Sequence, residues 1–170
     1  NVKPHDGREK EKRFMFAVDI PGMKHVEIDH LVLDYNGTIA LDGDLIQDVP
    51  EMMEELATQL TIHVLTADTH GTVREKLKGL PCLLHVISPG HQNRAKLDYI
   101  QHLGCGRVAA IGNGENDALM LKEAVVGIGI LQAEGVSTAA LQAATVVCTS
   151  IRDALNLFIK PDRLKATLRN

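Results

Sequence analysis

Residues able to act together on a phosphorus centre stand at the ends of three apolar runs. Leu31-Val32-Leu33 ends in Asp34, followed by Tyr35-Asn36-Gly37-Thr38. Leu60 to Leu65 ends in Thr66-Ala67-Asp68, and the run closing at Ile111 is followed by Gly112-Asn113-Gly114-Glu115-Asn116-Asp117. Lys96 lies in the segment ahead of that last run. A carboxylate can attack phosphorus and form an acyl phosphate. A hydroxyl and an ammonium can bind phosphoryl oxygens and neutralise the charge developing on them. Acids beside them can hold Mg2+, which prefers hard oxygen ligands. The set suits phosphoryl transfer, provided that the fold brings it together.

Apolar runs of this length, bounded by turn residues, predict buried strands. Residues 14–20 are β-prone, Pro21-Gly22 is a turn signal, and a second extended segment runs from Val26 into Leu33. This pair predicts a hairpin that adds an antiparallel strand beside the main sheet. Ile39 to Ile46, centred on Asp42-Gly43, predicts a two-armed β flap next to Asp34. Helices are expected over 49–60, where Pro50 sits near the first position, and over 70–78, 92–103, 116–124, 134–142 and 151–158. Strands are expected over 60–65, 82–87, 107–111, 125–130 and 145–148. This alternation predicts a three-layer α/β fold, a doubly wound parallel sheet with helices on both faces. In such sheets ligands bind beyond the carboxyl ends of the strands, where the polar groups fall. Residues 1–13 read as a mobile extension, 14–160 as one α/β domain, and 161–170 as a tail, either a short helix or disordered.

With 170 residues the chain can bury a core, and its net charge of −4 gives no electrostatic case for nucleic acid. No apolar run approaches the ~20 residues of a membrane span. No leader is recognisable, so a cytoplasmic protein without membrane attachment is expected. Three widely spaced cysteines, Cys82, Cys105 and Cys148, read as free thiols. The eight histidines lack metal-ligand spacing, which argues against zinc.

Taken singly, each candidate has an ordinary explanation. Asp34 could be a turn residue, Thr66 a helix cap and Lys96 a solvated helix lysine. Leu119, Met120 and Leu121 read as core packing. Gly112-Asn113-Gly114 invites a dinucleotide reading, but Asp117 replaces the third glycine and the segment opens no βαβ unit. A response-regulator receiver would place its acids first and its phosphorylated Asp in mid-chain, the wrong order here.

Taken together, the motifs resemble those of the haloacid dehalogenase (HAD) superfamily. Asp34-Tyr35-Asn36-Gly37-Thr38 is similar to its Asp-x-Asp-Gly-Thr motif, Leu65-Thr66-Ala67-Asp68 to its second, Lys96 to its third, and Gly112 to Asp117 to Gly-Asp-Gly-x-Asn-Asp. The likeness spans about residues 28 to 150 and points to small soluble relatives of the P-type ATPase phosphorylation domain. It implies a HAD-like Rossmannoid fold and a Mg2+-dependent phosphatase, with ATPase activity as a further expectation. Asp34 would be the nucleophile that becomes aspartyl-phosphate. Thr66 and Lys96 would bind the phosphoryl group, with Ala67 and Asn116 as neighbouring substrate-binding positions. Asp34, the backbone carbonyl of Asn36, Asn113 and Asp117 would lie at the metal.

Two departures matter. Asn36 occupies the position of the acid that protonates the leaving group and activates water, a function worth ~10²–10⁴-fold. Asn113 occupies the position of a metal-binding Asp. Slow turnover and a longer-lived phosphoenzyme are therefore expected. Residues 39–65 and 67–95 leave no room for an inserted cap domain beside the flap and ordinary βα units. An open site suits a phosphoprotein, a small phosphate ester, or closure by a neighbouring subunit in a homo-oligomer. The rival reading is a catalytically weak phosphate- or partner-binding regulatory module on the same fold.

Overall fold

The computed structural model describes residues 16–22, 25–68 and 71–170; the extension expected over 1–13 lies outside them. The chain begins with β1 (Phe16–Asp19) and β2 (His25–Ile28), an antiparallel hairpin. Next come β3 (His30–Asp34) and the flap, β4 (Ala40–Leu41) paired antiparallel with β5 (Asp44–Leu45). Asp42 and Gly43 turn the flap with φ of 51° and 85°, both left-handed as a tight two-residue hairpin requires. The elements that follow are α1 (Val49–Leu56), β6 (Thr61–Thr66), α2 (Thr72–Lys76), β7 (Leu83–Val86), α3 (Gln92–Leu103) and β8 (Val108–Gly112). They continue with α4 (Ala118–Glu123), β9 (Val126–Ile130), α5 (Thr138–Ala143), β10 (Val146–Cys148), α6 (Ile151–Ile159) and α7 (Pro161–Leu168).

Six strands form one parallel sheet in the order β10-β9-β8-β3-β6-β7. Both faces of β3 are covered: Leu31 and Leu33 pack into a core with Met53, Leu56, Leu155 and Phe158. Val32 points the other way, into a core with Leu97, Ile100, Met120 and Leu121. Alternation across the pleat puts successive residues on opposite faces, so a strand covered on both sides is apolar throughout. This is the doubly wound three-layer arrangement, and among the described residues no cap domain is inserted in it.

The strand order locates the crevice. The chain enters at β3, builds outward through β6 and β7, then returns to the opposite side of β3 for β8, β9 and β10. The order reverses between β3 and β8. The connections diverge there and leave a cleft at the carboxyl ends.

Several local expectations are corrected. The hairpin forms its own two-stranded sheet instead of extending the main one, because β6 and β8 already occupy both sides of β3. The extended segment from Val26 to Leu33 breaks at Asp29, whose N–H donates to the Arg107 carbonyl at 2.9 Å. The Arg107 guanidinium also grips the Asp29 carboxylate, at 2.8 and 2.9 Å. Helix α5 starts at Thr138 rather than 134, capped by Ser137 Oγ accepting from Ala140 N at 3.0 Å. The residues ahead of it are held at the cleft instead. Of the two alternatives for 161–170, a helix forms over 161–168, with Leu164 fully buried.

Candidate functional site

Parallel register sets the first-order geometry. Asp34 pairs with Leu65, and Leu33 with Ile111, so Asp34, Thr66 and Gly112 end neighbouring strands at similar heights. Asp34 and Thr66 are both buried. Helix α3 then brings Lys96 in from one face of the sheet, with only 1% of its surface exposed. Long helical side chains lean toward the helix N-terminus, the end of α3 nearest the cleft.

The Lys96 ammonium lies 2.5 Å from Asp34 Oδ1 and 2.5 Å from Asp117 Oδ1. Asp117 is fully buried, and its other oxygen accepts from Asn113 N at 3.0 Å and Gly114 N at 2.8 Å. Both Asp117 oxygens thus face inward. In the structure this residue clamps Lys96. Gly112 is required for that approach: a Cβ there would stand 2.5 Å from the Asp117 carboxyl carbon.

Burial, with the Asp117 charge behind it, raises the Asp34 pKa to about 7, against the opposing pull of Lys96 and of Thr38. Burial disfavours the Lys96 cation, but Asp34 and Asp117 outweigh it and hold its pKa above the usual ammonium value.

Thr38 links the Asp34 loop to the loop after β8. Its hydroxyl is 3.2 Å from both Asp34 Oδ2 and Asn113 Oδ1. Gly37 lies against the Asn113 amide with φ of 75°, and a Cβ there would come within 2.4 Å of Nδ2. Asn113 also donates to the Gly135 carbonyl at 3.0 Å. Asn36 is exposed at the outer side of the loop. Thr66 Oγ1 accepts from Asp68 N at 3.1 Å, which leaves its hydroxyl hydrogen available as a donor. The cap on α2 comes from Asp68, whose Oδ2 accepts from Thr72 Oγ1 at 2.8 Å and Val73 N at 3.0 Å. Ala67, between them, is half-buried. Asn116 donates to Gln92 Oε1 at 2.7 Å, beside a polar hollow of ≈410 Å³ lined by Gly90, His91, Gln92, Asn93, Glu115 and Asn116.

Side-chain oxygens of Asp34 and Asn113, both 3.2 Å from the Thr38 hydroxyl, make a hard donor set of low charge. With both carboxylates ionised, Asp34 and Asp117 against one ammonium leave a single net negative charge. Among the described residues no group of three or more His, Cys, Asp or Glu side chains could hold a metal. The set fits an ion such as Mg2+, which keeps several waters and takes few protein ligands.

Sequence reasoning missed three supports. Tyr35, almost fully buried, donates to the Gly43 carbonyl at 3.0 Å and holds the flap. Glu134 Oε1 accepts from Asp42 N of the flap at 3.3 Å. Gln132 bonds to the loop after Asp34 and to α6. The available signal was positional: Gln132 stands just past the end of β9, as Asn113 does past β8, while Asp34 and Thr66 end β3 and β6.

No family model matches the chain. An uncharacterized protein of Methanocaldococcus jannaschii is 38% identical over 85 residues, which cover 48% of this chain and 91% of that protein. The cobalt-bound deoxy-D-mannose-octulosonate 8-phosphate phosphatase of Haemophilus influenzae superposes with a TM-score of 0.66 at 12% identity, covering 84% of this chain and 94% of the other. The 3-deoxy-D-manno-octulosonate 8-phosphate phosphatase of Moraxella catarrhalis, solved with magnesium, phosphate and KDO, gives 0.60 at 17% identity, covering 84% and 94%. A proposed HAD family hydrolase of Streptomyces avermitilis gives 0.63 at 19% identity, covering 79% and 87%. At such identities the likeness is one of fold. The chain therefore has the haloacid dehalogenase fold and belongs to one sequence family with the Methanocaldococcus jannaschii protein.

Proposed function

We propose that this protein is a phosphohydrolase that transfers the phosphoryl group of a monoester to Asp34 and then to water. The observation that carries the reading is Lys96 bridging two buried carboxylates, Asp34 and Asp117, at the reversal point of the sheet. A lysine buried there has little structural purpose that an apolar side chain would not serve better. It holds the attacking carboxylate in place and supplies positive charge where phosphoryl oxygens would lie. The solved neighbours that are phosphatases support the same reaction class.

In the first step an Asp34 oxygen forms a bond to phosphorus as the bond to the leaving oxygen breaks. Asn36 has no proton to give usefully, so the leaving group takes one from water. In the second step water attacks, the bond between phosphorus and Asp34 breaks, and phosphate leaves. Thr66 and Lys96 bind the phosphoryl oxygens, with Ala67 and Asn116 on the substrate side. Asp34, the carbonyl of Asn36 and Asn113 would hold Mg2+, which when bound neutralises phosphoryl charge. Asp34 must be ionised to attack, and a bound dication favours that form.

Slow turnover follows from the amides at 36 and 113, and the missing acid at 36 is shared with P-type ATPases, whose phosphorylation domain the motifs resemble. A phosphorylated small molecule or phosphoprotein is the substrate class that an open site admits, with closure by a second copy as an option. The rival binding-module reading is favoured by the Asn113 amide, which is already engaged by Thr38 and Gly135. Hydrolysis of p-nitrophenyl phosphate with Mg2+ decides between them. Turnover abolished by Asp34→Asn is expected; equal inactivity of both proteins, with phosphate analogues still bound, would establish the binding module.

A further inference from the structure

We infer that Gln132 is a positioning residue for the phosphoryl-transfer site, setting the backbone that carries Asp34 and Thr38. The inference rests on the phosphohydrolase reading. After β9 the chain does not enter helix α5 directly. Residues 131–137 instead lie along the cleft, and Gln132 makes three hydrogen bonds from one side chain. Its Nε2 donates to the Gly37 carbonyl at 2.8 Å and to the Thr38 carbonyl at 2.8 Å. Its Oε1 accepts from Ile151 N, the first residue of α6, at 3.0 Å.

Those two carbonyls belong to the turn that orients the nucleophile. The turn's own amides are directed elsewhere. Thr38, Ile39 and Ala40 N–H all point to the Tyr35 carbonyl, at 3.3, 3.0 and 3.0 Å, and Gly37 N–H to the Ala40 carbonyl at 2.9 Å. Gln132 therefore supplies donors from outside the turn and anchors it to a helix N-terminus, where unpaired N–H groups are in supply. The same segment fixes the other side of the cleft: the Gly135 carbonyl accepts from Asn113 Nδ2 at 3.0 Å, and Ser137 N donates to the Asn113 carbonyl at 2.8 Å. One strap thus sets the spacing between the nucleophile loop and Asn113. A misplacement of about 1 Å at a reacting group can cost ~10²-fold in rate.

Gln132→Leu removes the donors, and Gln132→Glu keeps the shape and the acceptor for Ile151 while turning an oxygen on two carbonyls. The measurements are kcat and KM for p-nitrophenyl phosphate with Mg2+, and hydrogen exchange of residues 35–40. Both variants should lose about 10- to 100-fold in kcat with KM within about threefold. Exchange over 35–40 should quicken roughly tenfold or more while β9 stays protected. Two results overturn the inference: wild-type kcat with unchanged exchange in both variants, or equal loss of protection throughout the sheet, which would make Gln132 a stability residue. If wild type shows no Asp34-dependent turnover, the phosphohydrolase reading fails separately, and exchange over 35–40 still decides whether Gln132 holds the loop.

Discussion

Replacing Lys96 by Met removes the ammonium from between two buried carboxylates and keeps most of the side-chain volume. Breaking a buried pair by deleting one partner typically costs about 3–5 kcal/mol, because the remaining charge is left uncompensated. Here the two survivors respond differently. Asp117 retains its bonds from Asn113 N and Gly114 N, which hold part of its charge. Asp34 already has a pKa of about 7 with the lysine present, so without it the carboxyl rises further and takes up a proton. A loss near the lower end, about 3 kcal/mol, is expected in alkaline buffer. At a urea slope of about 2 kcal/mol/M, this lowers the denaturation midpoint by roughly 1.5 M. The Asp34 share has a definite sign. It is complete above the variant's raised pKa and vanishes as pH falls to about 7 and below, where wild-type Asp34 is neutral too. The deficit should therefore be larger at about pH 9 than at about pH 6. In an Asp34→Asn background the same substitution should cost at least about 1 kcal/mol less at the alkaline pH. Additive costs at alkaline pH, with a deficit independent of pH, would refute the assignment of Lys96 to Asp34.

Asn36→Asp restores a proton donor and acceptor beside the nucleophile, so phosphoenzyme breakdown should quicken by about 10²-fold. A burst experiment in which the steady-state rate does not rise would count against it. Gly37→Ala forces a left-handed residue against the Asn113 amide, and should lower stability by about 1–3 kcal/mol in thermal unfolding. Chelation of divalent metal should stop turnover while leaving the circular dichroism spectrum and unfolding cooperativity intact, since the cores on both faces of β3 are built from apolar side chains. His63 is buried, with its ring nitrogens 3.0 Å from His30 Nδ1 and 2.9 Å from the Tyr99 hydroxyl. Burial, with His30 adding to it, lowers its pKa to about 4. The unfolded chain then binds the proton more tightly. This contribution is complete above about pH 6.5 and is lost, up to about 3 kcal/mol, as pH falls toward 4. An NMR titration placing His63 near its ordinary value would refute it.

The legible part of this protein was whatever a local pattern encodes. Runs such as Leu31-Val32-Leu33 announced buried strands because a strand covered on both faces has no polar alternation to confuse the reading. Helix α3 was readable to the residue, because Gly104 stops it, and the flap was readable because Asp42-Gly43 accepts left-handed backbone. The helix expected from 134 was misread because its first residues satisfy distant partners. Glu134 accepts from Asp42 N, the Gly135 carbonyl accepts from Asn113 and Ser137 N donates to the Asn113 carbonyl, and no window of neighbouring sequence contains those partners.

The sequence alone determined which chemistry the chain is equipped for: a carboxylate and a hydroxyl at successive strand ends and a lysine in the helix ahead of a third, with amides where acids would speed hydrolysis. Only the tertiary structure decided how those groups are used. The strand order put the reversal of the sheet beside Asp34, and α3 packing drove Lys96 between two carboxylates. It also turned Asp117 onto Lys96 and placed Gln132 against the carbonyls of the loop after Asp34. The physical reason is range. Strand and turn preferences act over a few residues, whereas a buried charge is set by whichever distant groups the fold places against it.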